Sequence, residues 1–338
     1  MVSDGATLQA DATVTFRGVR EDIRAAASAD VVADMSHRAL VRVSGPDAAA
    51  FLQGQLSNDV RLVDAGHSQL SSYNSPKGRV LAILRILRDG EDYLLQLPAA
   101  LVDDVTRRLR MYVLRSRVTL NDDRARMVQI GVSGKGPEAV LRTVGPCPEE
   151  PGGCAMEGPL IVTRVPGTVP RFELAAPAEA MLEIWRRLRS AGLVAVGSAA
   201  WSWLDIHAGV PVVLPPTVDA FVPQMVNLDL LDGINFKKGC YTGQEIVARM
   251  QYLGRLKQRM YAVHVEGGVS PQPGDALYAP DFGEQAAGTI VDAQPAPGDG
   301  YDMLAVVQTS SAAGNDVRWV AVDGPRLAFQ SLPYPLPN

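Results

Sequence analysis

The segment FKKGCYTGQEIVAR, residues 236–249, sets a thiol between two lysines and the start of a helix. Thr242-Gly243-Gln244-Glu245 reads as a T-x-x-E capping box, with Thr242 as N-cap and Glu245 as the third helical residue. Ile246, Val247 and Met250 supply the apolar face of that helix. Cys240 then lies two residues before the cap, near the positive end of the helix dipole. A free thiol titrates near about 8.5, and both a helix N-terminus and neighbouring lysines favour the thiolate. Gly239 and Gly243 permit close backbone approach. Together these residues can present a reactive thiol beside an anion-binding corner. Free cysteines are most often small buried hydrophobes, so the residues alone favour a buried, structural thiol with the two lysines on a solvated turn.

Rival chemistry is sparse. The three cysteines, Cys147, Cys154 and Cys240, contain no CxxC pair and cannot form a disulfide framework. His37, His67, His207 and His264 form no HxxxH or HxH, so no metal site is expected. A net charge of -5 sets up no global field toward nucleic acid or anionic membrane. The RRLR runs at 107–110 and 186–189 read as solvated helix faces without the aromatics of an RNA platform, and no direct nucleic-acid binding is expected. There is no run of 18 apolar residues and no signal-peptide pattern at the N-terminus. A reducing, cytoplasmic setting follows as the expectation.

The elements that must position the thiol are legible as periodicities. ALVRVSG alternates as a strand, and Ser44 caps a helix over PDAAAFLQGQL. QLSSYNSPKGRVLAILRIL reads as two strands around the turn 74–78, and DYLLQL as another strand. Leu101, Val102, Val105 and Leu109 make a helical stripe, followed by short strands at RVTL and MVQIGV. Residues 144–159, rich in Pro and Gly, read as an exposed loop. Strands at LIVTRV and RFELAA precede a helix with Met181, Ile184, Trp185 and Leu188 on one face and Gly192 at its C-cap. The helix SAAWSWLDIHAG carries Trp201 and Trp203, two apart and hence on different faces, one for the core and one for a cavity wall. From Gly254 onward, short alternating runs between turns suggest a small antiparallel barrel or sandwich. The whole reads as an α+β multidomain chain.

KKGCYTGQEIVAR resembles the signature K-G-C-[FY]-x-G-Q-E of the YgfZ family, folate-binding proteins related to the T-protein (aminomethyltransferase) of the glycine cleavage system. FLQGQLSNDV, YNSPKGRVLAILRILRDG, AGVP and FVPQMVNLDLL agree in order, and the resemblance spans roughly residues 30–335. It implies a T-protein-like ring of three domains around a folate-accepting opening, with a C-terminal antiparallel β-barrel. Residues 1–30 are then a flexible lead-in, 31–135 and 136–250 two α+β subdomains of the folate-binding region, and 251–338 the barrel. The implied function is support of iron–sulfur cluster assembly or repair, and through it of the enzymes that thiolate tRNA. Tetrahydrofolate or a derivative is the implied cofactor, and iron–sulfur client proteins are the implied partners.

The family's functional cysteine falls on Cys240 and its signature lysine on Lys238, and the resemblance nominates the two as catalytic. The resemblance together with the residue types nominates Asp59, Tyr73, Lys77, His207, Tyr241, Gln244, Glu245 and Arg249 as cofactor-binding. Two departures stand out. T-proteins carry a carboxylate in the strand after the turn, whereas KGRVLAILRIL has none, which speaks against a one-carbon transferase such as an aminomethyltransferase or demethylase. The family's Glu before AG is His207 here, which removes a carboxylate suited to a pterin edge. A third reading is a scaffold for iron–sulfur clients that binds no small molecule.

Overall fold

The computed structural model describes residues 5–8, 13–252, 254 and 256–337. The chain divides into two compact units, each discontinuous in sequence. The first comprises Met1–Gln53, Asp59–Gln69 and Leu84–Leu204; the second comprises Gly54–Asn58, Leu70–Ile83 and Asp205–Asn338. The long strand Val80–Asp89 passes from the second into the first.

The first unit holds a six-stranded sheet in the order Cys154–Glu157, Leu160–Val165, Arg171–Pro177, Met127–Ser133, Val31–Asp34, Val194–Val196. Its pairs are antiparallel except the last, which is parallel. The helix Ala178–Ser190 packs Met181, Ile184, Trp185 and Leu188 into this sheet's core, as its 3.6-residue stripe predicts. The loop expected at 144–159 instead ends in the edge strand Cys154–Glu157. Its alternation is too short to show in sequence, and the neighbouring strand supplies the pairing. Trp201 and Trp203 are both buried in one cluster with Ile23 and Val196, where one of them was expected at a cavity wall. Gly131 explains Trp201: a Cβ there would lie 2.3 Å from its ring. A further antiparallel set in this unit joins residues 84–89, Asp92–Pro98, Arg38–Ser44 and Thr119–Asp122.

The second unit ends in a six-stranded antiparallel sheet, ordered Arg318–Trp319, Ala276–Tyr278, Ala286–Pro295, Tyr301–Gln308, Gln258–Val265, Ala328–Gln330. It curls but does not close, which corrects the expected barrel to a half-barrel. Its edge strands have only 2 and 3 residues, and the isolated bridge from Arg318 goes to Arg326, ahead of the strand Ala328–Gln330 rather than within it. Bulges at Leu277/Tyr278 and Ile290/Asp292 supply the bend. Val263, Leu277, Ile290, Met303 and Val307 fill the concave face.

Candidate functional site

All but one of the nominated residues belong to the second unit. Cys240 is exposed there, as are Lys237, Lys77, Glu245 and Arg249. Two devices fix the loop that carries the thiol. First, Lys238 is buried, 7% exposed, and its Nζ donates to the carbonyls of Leu56 at 2.6 Å and Asn58 at 2.8 Å. The ring of Tyr241 lies 5.1 Å from that ammonium. An ammonium spent on backbone carbonyls positions the loop rather than donating protons to a reaction. Ser57, between these acceptors, and Asn58 are themselves bonded to Gly233, Asp232, Ser71 and Leu70.

Second, the turn Ser75–Gly78 packs against the segment just after Cys240. A Cβ on Gly243 would meet Ser75 O at 2.5 Å, and one on Gly78 would meet Ile246 Cβ at 2.7 Å. Both glycines have left-handed backbones, φ 68 at Gly78 and φ 80 at Gly243. Ser75 Oγ donates to Asp219 at 2.7 Å and Arg79 Nη1 to the Ala220 carbonyl at 2.5 Å, which brace the turn. Lys77 thereby stands on a rigid turn packed against the thiol's own loop.

The capping box forms differently from the expectation. The helix runs Gln244–Tyr252, so Glu245 is its second residue and left-handed Gly243 precedes it. The Gln244 amide donates to Tyr241 O at 3.1 Å. Tyr241 is buried, and that burial pushes its phenol well above the usual tyrosine range. Tyr73 is buried beside Leu56 in an isolated bridge.

His207 ends the helix Ser198–His207 and bonds through Nε2 to Asp302 Oδ2 at 2.9 Å. His264 Nδ1 holds the other oxygen of Asp302 at 2.8 Å. Two imidazoles thus flank one buried carboxylate. A glutamate at 207 would meet Asp302 with like charge. Asp59 alone falls in the first unit. It caps the short helix Val60–Leu62 and takes both Nε and Nη2 of Arg61, at 2.8 and 2.5 Å. The Arg61 side chain holds its carboxyl down at about 2.

Sequence reasoning passed over three buried polar groups of the second unit. Asn74 is 1% exposed, and among the described residues neither atom of its amide finds a partner. Ser72 Oγ, on the same face of the strand Gln69–Asn74, is also unpartnered. Gln224 Nε2 donates to Val247 O at 2.8 Å while its Oε1 is unpartnered. Asn74 borders the YNSPKG turn and Gln224 lies in FVPQMVNLDLL, so both motifs pointed nearby. A separate groove of about 960 Å³ runs along Tyr261, His264, Phe329 and Gln330; none of the nominated residues lines it. Among the described residues no three His, Cys, Asp or Glu side chains gather as a metal site. Among them also, no helix is long and apolar enough to cross a membrane.

Residues 7–149 match the family model described as the GCVT N-terminal domain. The fold is that of the glycine cleavage system aminomethyltransferase T from Bartonella henselae, with a TM-score of 0.75 at 20% identity over 98% of this chain and 95% of that one. The chain is similar to proteins named tRNA-modifying protein YgfZ. It is 30% identical to that of Serratia proteamaculans over 88% of this chain and 90% of the relative. It is 32% identical to that of Pectobacterium atrosepticum over 88% and 89% respectively. It is also 32% identical to that of Cronobacter sakazakii over 71% and 72%. Identity at this level along most of both sequences places the chain in the YgfZ family of tRNA-modifying proteins.

Proposed function

We propose that this protein supports iron–sulfur cluster assembly or repair, and through it tRNA thiolation, by presenting the Cys240 thiol to client proteins. One observation carries the reading: Cys240 is exposed on a loop that Lys238 and the Gly78–Gly243 contact hold in place. A sulfur that served only packing would be buried. A cluster passing through this site is cargo, met by one thiolate from this chain and completed by ligands of the client. Lys77, Lys237 and Arg249 are exposed cations of the same unit and suit an anionic client surface or cargo.

A reduced folate is the ligand proposed for the second unit. Buried amide and hydroxyl groups without partners cost roughly 1–3 kcal/mol each, and a heterocycle with a donor–acceptor edge satisfies them. Asn74, Ser72 and the Gln224 Oε1 are such groups. They would hold the ring, with Lys77 available to an acidic tail. When bound, the folate would supply a one-carbon or redox-active pterin. The strand Val80–Asp89 offers no carboxylate before Asp89, so this chain's own residues do not favour aminomethyl transfer. Cytoplasmic location accords with a free, exposed thiol.

The test is the activity of tRNA-thiolating iron–sulfur enzymes in extracts of a strain lacking this chain. The reading requires that added purified protein restore it. Unchanged activity, with the clients' cluster content already normal, would reject it.

A further inference from the structure

The helix Val102–Arg110 buries Val102, Val105 and Leu109 and ends in Arg107, Arg108 and Arg110. The chain then exposes three large apolar side chains within four residues: Met111 at 57%, Tyr112 at 43% and Leu114 at 86%. Single exposed leucines mean little, but a contiguous patch marks a binding surface. This one is also rigid. The amides of Met111, Tyr112 and Val113 donate to the carbonyls of Arg108, Leu109 and Arg110, and that of Ser116 to Val113. Arg117 N donates to Asp47 Oδ2 at 2.8 Å. Gly45 lets the chain approach there, since a Cβ on it would lie 2.1 Å from Arg117 O. Leu114 is held at φ 44, a left-handed conformation that leucine rarely adopts.

Along the segment itself the charge has one sign. Residues 107–117 contain five arginines and no acidic residue. The fold uses three of them: Arg107 pairs with Asp104, Arg117 with Asp47, and Arg110 donates to Leu120 O. Arg108 and Arg115 form no ion pair among the described residues. A concavity of about 720 Å³ lies beside the knuckle, lined by Asp47, Tyr112, Leu114, Arg115 and Ser116.

We propose that residues 108–116 dock a protein partner whose surface offers an apolar notch ringed by carboxylates. Leu114 and Met111 enter the notch, and Arg108 and Arg115 meet its rim. Charge complementarity selects an acidic partner. Nucleic acid is disfavoured because stacking needs aromatic faces, and Tyr112 is the one aromatic in 107–117. A preorganised knuckle loses little freedom on binding. The inference does not rest on Cys240.

The experiment places the photo-crosslinker p-benzoylphenylalanine at position 114 in living cells and maps its adducts by mass spectrometry. A protein adduct whose linked peptide is apolar and flanked by Asp or Glu is the expected result. With that partner purified, Arg108→Glu/Arg115→Glu should weaken binding at least roughly tenfold, and reversing the partner's acidic residues to lysine should restore it. Adducts to RNA or lipid, the absence of any adduct, or binding indifferent to the charge reversal would each overturn the proposal. Thermal melting of each variant controls for misfolding. Cys240→Ala should leave the adduct intact, which separates failure here from failure of the thiol reading.

Discussion

Gly78 and Gly243 touch backbone to backbone: a Cβ added to Gly243 would sit 2.8 Å from Gly78 Cα. Each comes from one of the two motifs that looked most informative in sequence, the hairpin turn and the thiol loop. Both occupy left-handed backbones. Their contact sets the path of the chain on which Cys240 sits.

Gly243→Ala should therefore destabilise the second unit by about 2–4 kcal/mol, combining the left-handed penalty with overpacking. Urea unfolding measures the loss. Hydrogen exchange should localise it to residues 75–80 and 236–249. A variant as stable as wild type would show that the two motifs are not coupled.

Lys238→Met keeps the stem but removes the ammonium, stranding the Leu56 and Asn58 carbonyls. The expected cost is about 2–4 kcal/mol, since hydrogen bonds to charged groups are the strong ones. Alkylation of Cys240 by iodoacetamide should also change rate, because the loop loses its anchor. An unchanged melt together with an unchanged alkylation rate would deny Lys238 its positioning role.

His207→Glu should lower stability by about 2 kcal/mol, because it sets a carboxylate against buried Asp302 and removes one of its partners. His207→Glu/Asp302→Asn should recover part of that loss, giving a favourable coupling in a double-mutant cycle. Additive losses would mean that the histidine–aspartate pair does not account for the departure at 207.

Asp59 gives the first unit a pH signature. Its carboxyl is depressed from 3.8 to about 2 by Arg61. The depressed group contributes stability that is full above about pH 4 and is lost as pH falls toward 2. Asp59→Asn should flatten the pH dependence of unfolding in that window relative to wild type. Parallel curves for the two proteins would contradict the assignment.

Much of the fold was legible because its signals are local. The stripe of Met181, Ile184, Trp185 and Leu188 fixes one helix and the face it buries. The turn residues of YNSPKG fix a hairpin between the strands Gln69–Asn74 and Val80–Asp89. What stayed hidden depends on contacts distant in sequence. The anchoring role of Lys238 shows only once its acceptors, 182 and 180 residues away, are seen. The pairing of His207 with Asp302 spans 95 residues. The capping box misled because Gly243 takes a left-handed turn to meet Gly78, which delays the helix to Gln244. The barrel expectation failed because strand spacing reports the number of strands but not whether two short edges will pair. The unpartnered amide of Asn74 has no sequence signature beyond a place next to a turn.

On the proposed function, the Cys240 sulfur does the work of this protein. The most direct test is the level of thiolated tRNA in cells lacking the chain and supplied with either wild type or Cys240→Ala at equal abundance. Cys240 is exposed, so its alanine variant should melt within a degree or two of wild type. The account predicts that wild type restores thiolation while Cys240→Ala leaves it at the level of the empty strain. Equal restoration by both would contradict it.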